Sequence, residues 1–235
     1  MFNRPKRRLT RRMQLNLMLA VLVLLLPTKA ALADPIAIWS FNDSDLIVDH
    51  GAGTMSSNFN PANVGFAAGT TNNARLGDPA GQALSLQSGS SNSNNGRNIT
   101  VLAGTFGFAN IIVSFATQGT GTGFISNQFQ YSIDGVTFVD FGSTFAPPVA
   151  FGSVPVVFDL GSITGLNNNL NAAFRIVFNG ATTATGNNRI DNFVVEGSGT
   201  TIPEPTTMTL FGVGMTTLFA RVWRKRVRRP KVKLL

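Results

Sequence analysis

Between residues 34 and 196 apolar residues alternate with polar ones over short runs, and no stretch sustains a helical period. Leu84 and Leu86 alternate with Ser85 and Gln87. Ile111, Val113 and Phe115 alternate with Ser114 and Ala116. A period of two sends successive side chains to opposite faces of a strand. By the same rule Phe129, Tyr131 and Ile133 point one way, with Gln130, Ser132 and Asp134 the other way. Val154, Val156, Phe158 and Leu160 form a further apolar face. So do Phe174, Ile176 and Phe178, opposite Arg175 and Asn179, and Ile190 to Val195 reads as a last strand. Asp134-Gly135 sits between two apolar runs and predicts a hairpin turn, because glycine tolerates positive φ. The polar stretches from Ser88 to Gly96 and from Gly119 to Gly123 predict loops, more mobile than the strands they join. Strands with one apolar face must bury it against a second sheet, so the pattern predicts an all-β sandwich. Of the chain's 19 Phe residues, the 16 within this segment supply the bulk of its core.

Both ends depart from this pattern. Residues 1–12 are basic, Leu15 to Leu26 form an apolar run, and Pro27 breaks any helix. Ala31-Leu32-Ala33 then places small residues where a signal peptidase reads them. Residues 1–33 are therefore predicted to be a signal peptide, cut after Ala33 to leave Asp34 first. The alternative is an uncleaved anchor, for which the run is short against the roughly 20 residues of a span. Arg11-Arg12 raises twin-arginine export. Met13 and Gln14 fit that motif poorly, and the leucine-rich run favours the general secretion translocon.

At the other end, residues 197–202 read as a polar linker. Pro203-Glu204-Pro205 follows, then an uncharged, largely apolar segment from Thr206 to Ala220, then a strongly basic end. A helix from Pro205 to Ala220 is about 24 Å long at 1.5 Å per residue, against a hydrocarbon core about 30 Å thick. Val222 and Trp223 extend it, with Arg221 snorkelling to the interface. Arg221, Arg224, Lys225 and Arg226 belong on the cytoplasmic side by the positive-inside rule, as does the basic N-terminus. Both ends thus predict that residues 34–202 face outward.

The net charge of +8 changes meaning once its residues are placed. Fifteen of the 19 basic residues lie in residues 1–33 and 221–235, whereas all 11 acids lie between Asp34 and Glu204. Residues 34–202 hold ten acids and four bases, a net charge of −6. Such a domain repels phosphate, and no nucleic-acid partner is expected. The chain has no cysteine, which excludes disulfides, thiol nucleophiles and Cys-based metal sites.

Candidate chemistry in residues 34–202 is sparse. His50 is the chain's one histidine, so no His-based metal cluster forms, and no Gly-x-Ser-x-Gly elbow presents a serine nucleophile. The segment has no lysine, which excludes a Walker-type loop and a Schiff base. Asp43 and Asp45, with Asp49 near them, cluster in sequence near the start, and Asp191 lies near the end. If the first and last strands meet, Asp43, Asp45 and Asp191 are candidate ligands for a structural Ca²⁺, which takes six to eight oxygens. The plainer reading is turn formers and solubilising charges. No other cofactor is expected. Trp39 lies in the apolar run Ile36 to Phe41 and is expected in the core rather than on a sugar-binding surface.

Pro203-Glu204-Pro205, the apolar stretch with Gly212-x-Gly214 and the arginine-rich end together resemble the PEP-CTERM sorting signal of Gram-negative bacteria. The resemblance covers about the last 33 residues. It implies that an exosortase, a membrane-embedded Cys-dependent transpeptidase-like enzyme, recognises Pro203, Glu204 and Pro205 and removes the tail. It also implies transit through the inner membrane to the cell surface, with ties to exopolysaccharide and biofilm. The alternative is a plain single-pass anchor.

Tyr131-Ser132-Ile133-Asp134-Gly135-x-x-Phe138 and Asn188-Arg189-Ile190-Asp191-Asn192 resemble patterns in secreted bacterial jelly-roll domains similar to carbohydrate-binding modules. The resemblance implies a jelly-roll-like sandwich over residues 34–196. The expected role is a non-enzymatic envelope or extracellular-matrix component. One alternative is a carbohydrate-binding module for exopolysaccharide. Another is a small glycan hydrolase, which needs two carboxylates about 5–9.5 Å apart.

Overall fold

The computed structural model describes residues 33–200. The alternation resolves into twelve strands. The first six are β1 (Ala33–Trp39), β2 (His50–Gly51), β3 (Thr54–Ser57), β4 (Val64–Ala68), β5 (Gln82–Gln87) and β6 (Arg97–Leu102). The remainder are β7 (Phe108–Gly119), β8 (Gln128–Ser132), β9 (Val139–Asp140), β10 (Val156–Asp159), β11 (Ala173–Phe178) and β12 (Asn187–Gly199). They form two antiparallel sheets. One has seven strands, in the order β10-β7-β12-β1-β2 with the β4–β5 hairpin joined to β12 through β5; the other runs β3-β6-β11-β8-β9. Counting β1 and β6 to β12 as eight strands in chain order, their places are 1-8-3-6 in one sheet and 2-7-4-5 in the other. That interleaving is a jelly roll, the sandwich expected from the sequence.

Aromatic rings fill the space between the sheets. Phe129 of the five-stranded sheet stacks on Phe158 of the seven-stranded sheet, 3.9 Å between centroids and 8° between planes. Phe115 stacks on Phe193 at 5.5 Å, and Phe59, Phe124 and Phe178 meet edge-on. Trp39 is fully buried, as the apolar run around it predicted. It packs edge-on to Phe193 and donates Nε1–H to the Leu46 carbonyl at 3.1 Å. Replacing Trp39 with alanine is expected to cost about 3–5 kcal/mol, read by denaturant unfolding, because the cavity spans the meeting point of β1 and β12.

Three strand assignments shift. Ile133 and Val154 fall outside the strands and are exposed, so the apolar faces of β8 and β10 are shorter than the alternation suggested. The last strand is longer: β12 runs on to Gly199, with Gly197 opposite Asp34 and Ser198 opposite Ala33 and Ala109. Three residues read as linker are therefore ladder, and Thr200 N–H still donates to the Gly107 carbonyl at 2.7 Å. Ala33, the last residue of the predicted signal peptide, is the first of β1. Ala31 and the whole tail, including Pro203, Glu204, Pro205, Arg221, Arg224, Lys225 and Arg226, lie outside the described residues. Among the described residues no helix is long and apolar enough to cross a membrane.

Candidate functional site

In the middle of β12 the pairing with β7 slips between Asp191 and Val194, and Asn192 takes φ +49°. The bulge lets Ile190 and Phe193 both reach the core while Asp191 and Asn192 turn to the outer side. There they hold the loop between β4 and β5. The Asp191 carboxylate accepts N–H bonds from Thr70 at 2.6 Å and Asn192 at 2.8 Å. The Asn192 amide donates to the Thr70 and Asn72 carbonyls, and Asn73 donates to the Asn192 carbonyl and to Ser114. Gly69 is required beside them, since a Cβ would lie 2.3 Å from Asp191 Oδ2 and from the Ala80 carbonyl. The loop covers the outer side of β7, which is why Ser114 and Ala116 are buried although their side of the strand reads as solvent-facing. Burial pushes the Asp191 carboxyl up to about 7, with the charge of Asp78 adding to the effect and the Thr70 and Asn192 N–H groups opposing it.

The candidate calcium ligands do not come together. Asp43 and Asp45 lie in the turn after β1, where Asp45 accepts the Ile47 N–H at 2.7 Å. Asp43 is exposed; slight desolvation, then the charges of Asp45 and Asp49, raise its carboxyl. Asp191 already spends its oxygens on the two backbone N–H groups. Among the described residues no group of three or more His, Cys, Asp or Glu is placed to hold a metal ion. Asp159 caps its own turn through the Gly161 N–H, on a different element again. His50 is exposed on β2. Asp134 accepts N–H bonds from Val136 and Thr137 and the Ser132 hydroxyl, as its turn required. The backbone N–H groups of Thr137 and Val136, with the Ser132 hydroxyl, hold its carboxyl well below the ordinary range.

The outer face of the five-stranded sheet does gather functional groups. Ser56, Thr100, Arg175, Gln130 and Asp140 stand directly opposite one another on β3, β6, β11, β8 and β9. They form one polar row across all five strands, about 19 Å long at roughly 4.8 Å per strand spacing. Arg175 Nε donates to Thr100 Oγ1 at 2.9 Å, and Gln130 Nε2 donates to Asp140 Oδ1 at 2.8 Å. The Arg175 guanidinium lies 3.5 Å over the half-buried ring of Phe138, a cation–π contact that fixes its plane. Asn98 and Gln128 flank the row on either side of Val177. The sequence pattern placed Arg175 and Gln130 outward. It gave no register, so the row itself was not legible. The available signal was that Arg175 is one of only four cations in residues 34–202, at a strand position whose neighbours face the core.

Comparison with known proteins bears on the tail. Residues 201–228 match the model of the PEP-CTERM protein-sorting motif. The chain carries a PEP-CTERM sorting motif. The matched segment begins one residue beyond Thr200, so the PEP-CTERM motif adjoins the jelly roll directly. No curated protein matches the chain in sequence. Among solved structures the chain is similar to TmCBM61 in complex with β-1,4-galactotriose, at 12% identity over 72% of this chain and 98% of that one, with a TM-score of 0.40. It is also similar to the CBM22-1 xylan-binding domain of Paenibacillus barcinonensis Xyn10C, at 10% identity over 73% and 99%, with a TM-score of 0.44. A third is domain 4 of AbnA, an extracellular arabinanase of Geobacillus stearothermophilus in complex with arabinotriose, at 15% identity over 72% and 95%, with a TM-score of 0.41.

Proposed function

We propose that this PEP-CTERM protein is exported, cut by an exosortase within Pro203-Glu204-Pro205, and delivered to the cell surface as a non-enzymatic matrix component. There its jelly roll binds polysaccharide. The observation behind the binding role is the row Ser56–Thr100–Arg175–Gln130–Asp140 with Phe138. It alternates donors and acceptors along one flat face, orients them by mutual hydrogen bonds, and adds a guanidinium–aromatic pair. Sugars are bound by such combinations of fixed polar groups and an apolar ring. Asp140 is the one carboxylate in the row and is already engaged by Gln130, which favours binding over hydrolysis by a carboxylate pair.

Affinity electrophoresis through the host's own exopolysaccharide tests the binding role. Retardation is expected for the wild type. Arg175→Ala and Phe138→Ala are each expected to weaken it by roughly tenfold, the scale of one charge-assisted bond at about 1.4 kcal/mol. Equal mobility with and without the polysaccharide would leave a passive structural role.

A further inference from the structure

On the opposite sheet a hollow of about 240 Å³ lies over β4, β5 and the start of β12. Its floor is made by outward residues of the three strands. Gly65, Ser85 and Arg189 stand opposite one another on the three strands, and a Cβ built on Gly65 meets nothing within 4 Å. Leu84, Leu86 and Ile190 point the other way into the core, so the hollow is a feature of the outer face. Its walls carry the carboxamides of Asn63, Gln87 and Asn187 and the Ser85 hydroxyl.

Arg189 is the cation of this hollow. Its guanidinium donates to the Ala68 carbonyl at 3.1 Å, while its Nε is buried without a hydrogen-bond partner. Among the described residues it makes no ion pair; the one observed joins Arg75 and Glu196. The guanidinium therefore carries a positive charge with no carboxylate partner at the lining of the hollow, which favours an anion there. One planar guanidinium matches one carboxylate through paired N–H···O bonds. The surrounding hydroxyl and carboxamides suit the neutral hydroxyls of the same ligand. The volume holds roughly eight waters at about 30 Å³ each, a space for one sugar ring.

We propose that the Arg189 hollow binds a carboxylate-bearing sugar unit of an acidic polysaccharide. It is distinct from the Arg175 row and lies on the other face of the sandwich. A domain with a site on each face links two polysaccharide segments, and such bivalency strengthens retention without any new contact.

The test is calorimetric titration of the full chain in detergent micelles with trigalacturonate and with its carboxyl-reduced, uncharged counterpart. The acid is expected to bind, with the reduced sugar at least tenfold weaker. Arg189→Gln removes the charge, and Gly65→Leu fills the hollow where no atom obstructs it; each is expected to weaken the acid at least tenfold. Arg175→Ala is expected to leave it unchanged, which separates failure here from failure of the row on the other sheet. Equal affinity for the two sugars, no heat from trigalacturonate, or unchanged affinity in Arg189→Gln would overturn the proposal. So would loss of binding in Arg175→Ala alone, or binding of a glutamate-rich peptide in place of the sugar.

Discussion

Replacing Glu204 and Pro205 together with alanine is expected to leave the tail uncut, so that protein recovered from the native host still carries Arg221 to Leu235. Wild-type protein is expected to begin at Asp34 and to end near Pro203, as read by intact mass and terminal peptides. Proline disfavours helix at its own and the preceding position; the variant loses that sequence signal while Thr206 to Ala220 remains apolar. Geometry adds a constraint. Thr200 is still bonded to Gly107, and Pro203 is only three residues on, at most about 10 Å of extended chain. A processing enzyme must work close against the folded edge. Six Gly/Ser residues inserted after Thr201 are therefore expected to speed tail removal in a pulse–chase, and an unchanged rate would mean the bond is already reachable. The predicted signal-peptide cut is tied to the same corner, because Ala33 pairs with Ser198 and Asp34 with Gly197. That bond has to be cut before β1 closes onto β12.

Stability is expected to fall as pH rises from about 4 to about 7. Asp191 has its carboxyl raised from the usual 3.8 to about 7 by burial under the β4–β5 loop. The folded state holds the proton more tightly than the unfolded chain does. The contribution is complete below about pH 4 and is lost as pH climbs through 7. At about 1.4 kcal/mol per pH unit, three units give an upper value of about 4 kcal/mol. Asp134, with its carboxyl lowered, acts in the opposite sense, but only at pH values below the ordinary carboxylate range. Urea unfolding at pH 5 and pH 8 is expected to show a clear loss at the higher pH for the wild type. Asp191→Asn, which keeps an oxygen for the Thr70 N–H, is expected to flatten it. A pH dependence that survives in the variant would assign the effect to another group.

The alternation at Leu84 and Leu86, at Ile111 to Phe115 and at Phe174 to Phe178 gave the core-facing residues correctly, because a strand's side-chain period follows from backbone geometry alone. The same logic put Ser114 and Ala116 on the opposite face and gave no sign that this face is covered too. Their cover is a loop forty residues earlier in the chain, held by Asp191, Asn192 and Asn73. Gly197 to Gly199 read as linker because their composition is that of a flexible chain. They form ladder because β1 and β7 offer partners on both sides. Asp43, Asp45 and Asp191 were grouped on the expectation that the first and last strands meet. Those strands do pair, but the carboxylates sit on different features of them.

The sequence by itself determined the all-β class, the buried Trp39, the Asp134-Gly135 turn and the PEP-CTERM tail, since each depends on neighbours within a few residues. Tertiary structure alone decided the polar row through Arg175 and the hollow at Arg189. Both are made by strand register between segments tens of residues apart, and register is set by how the two sheets pack their phenylalanines.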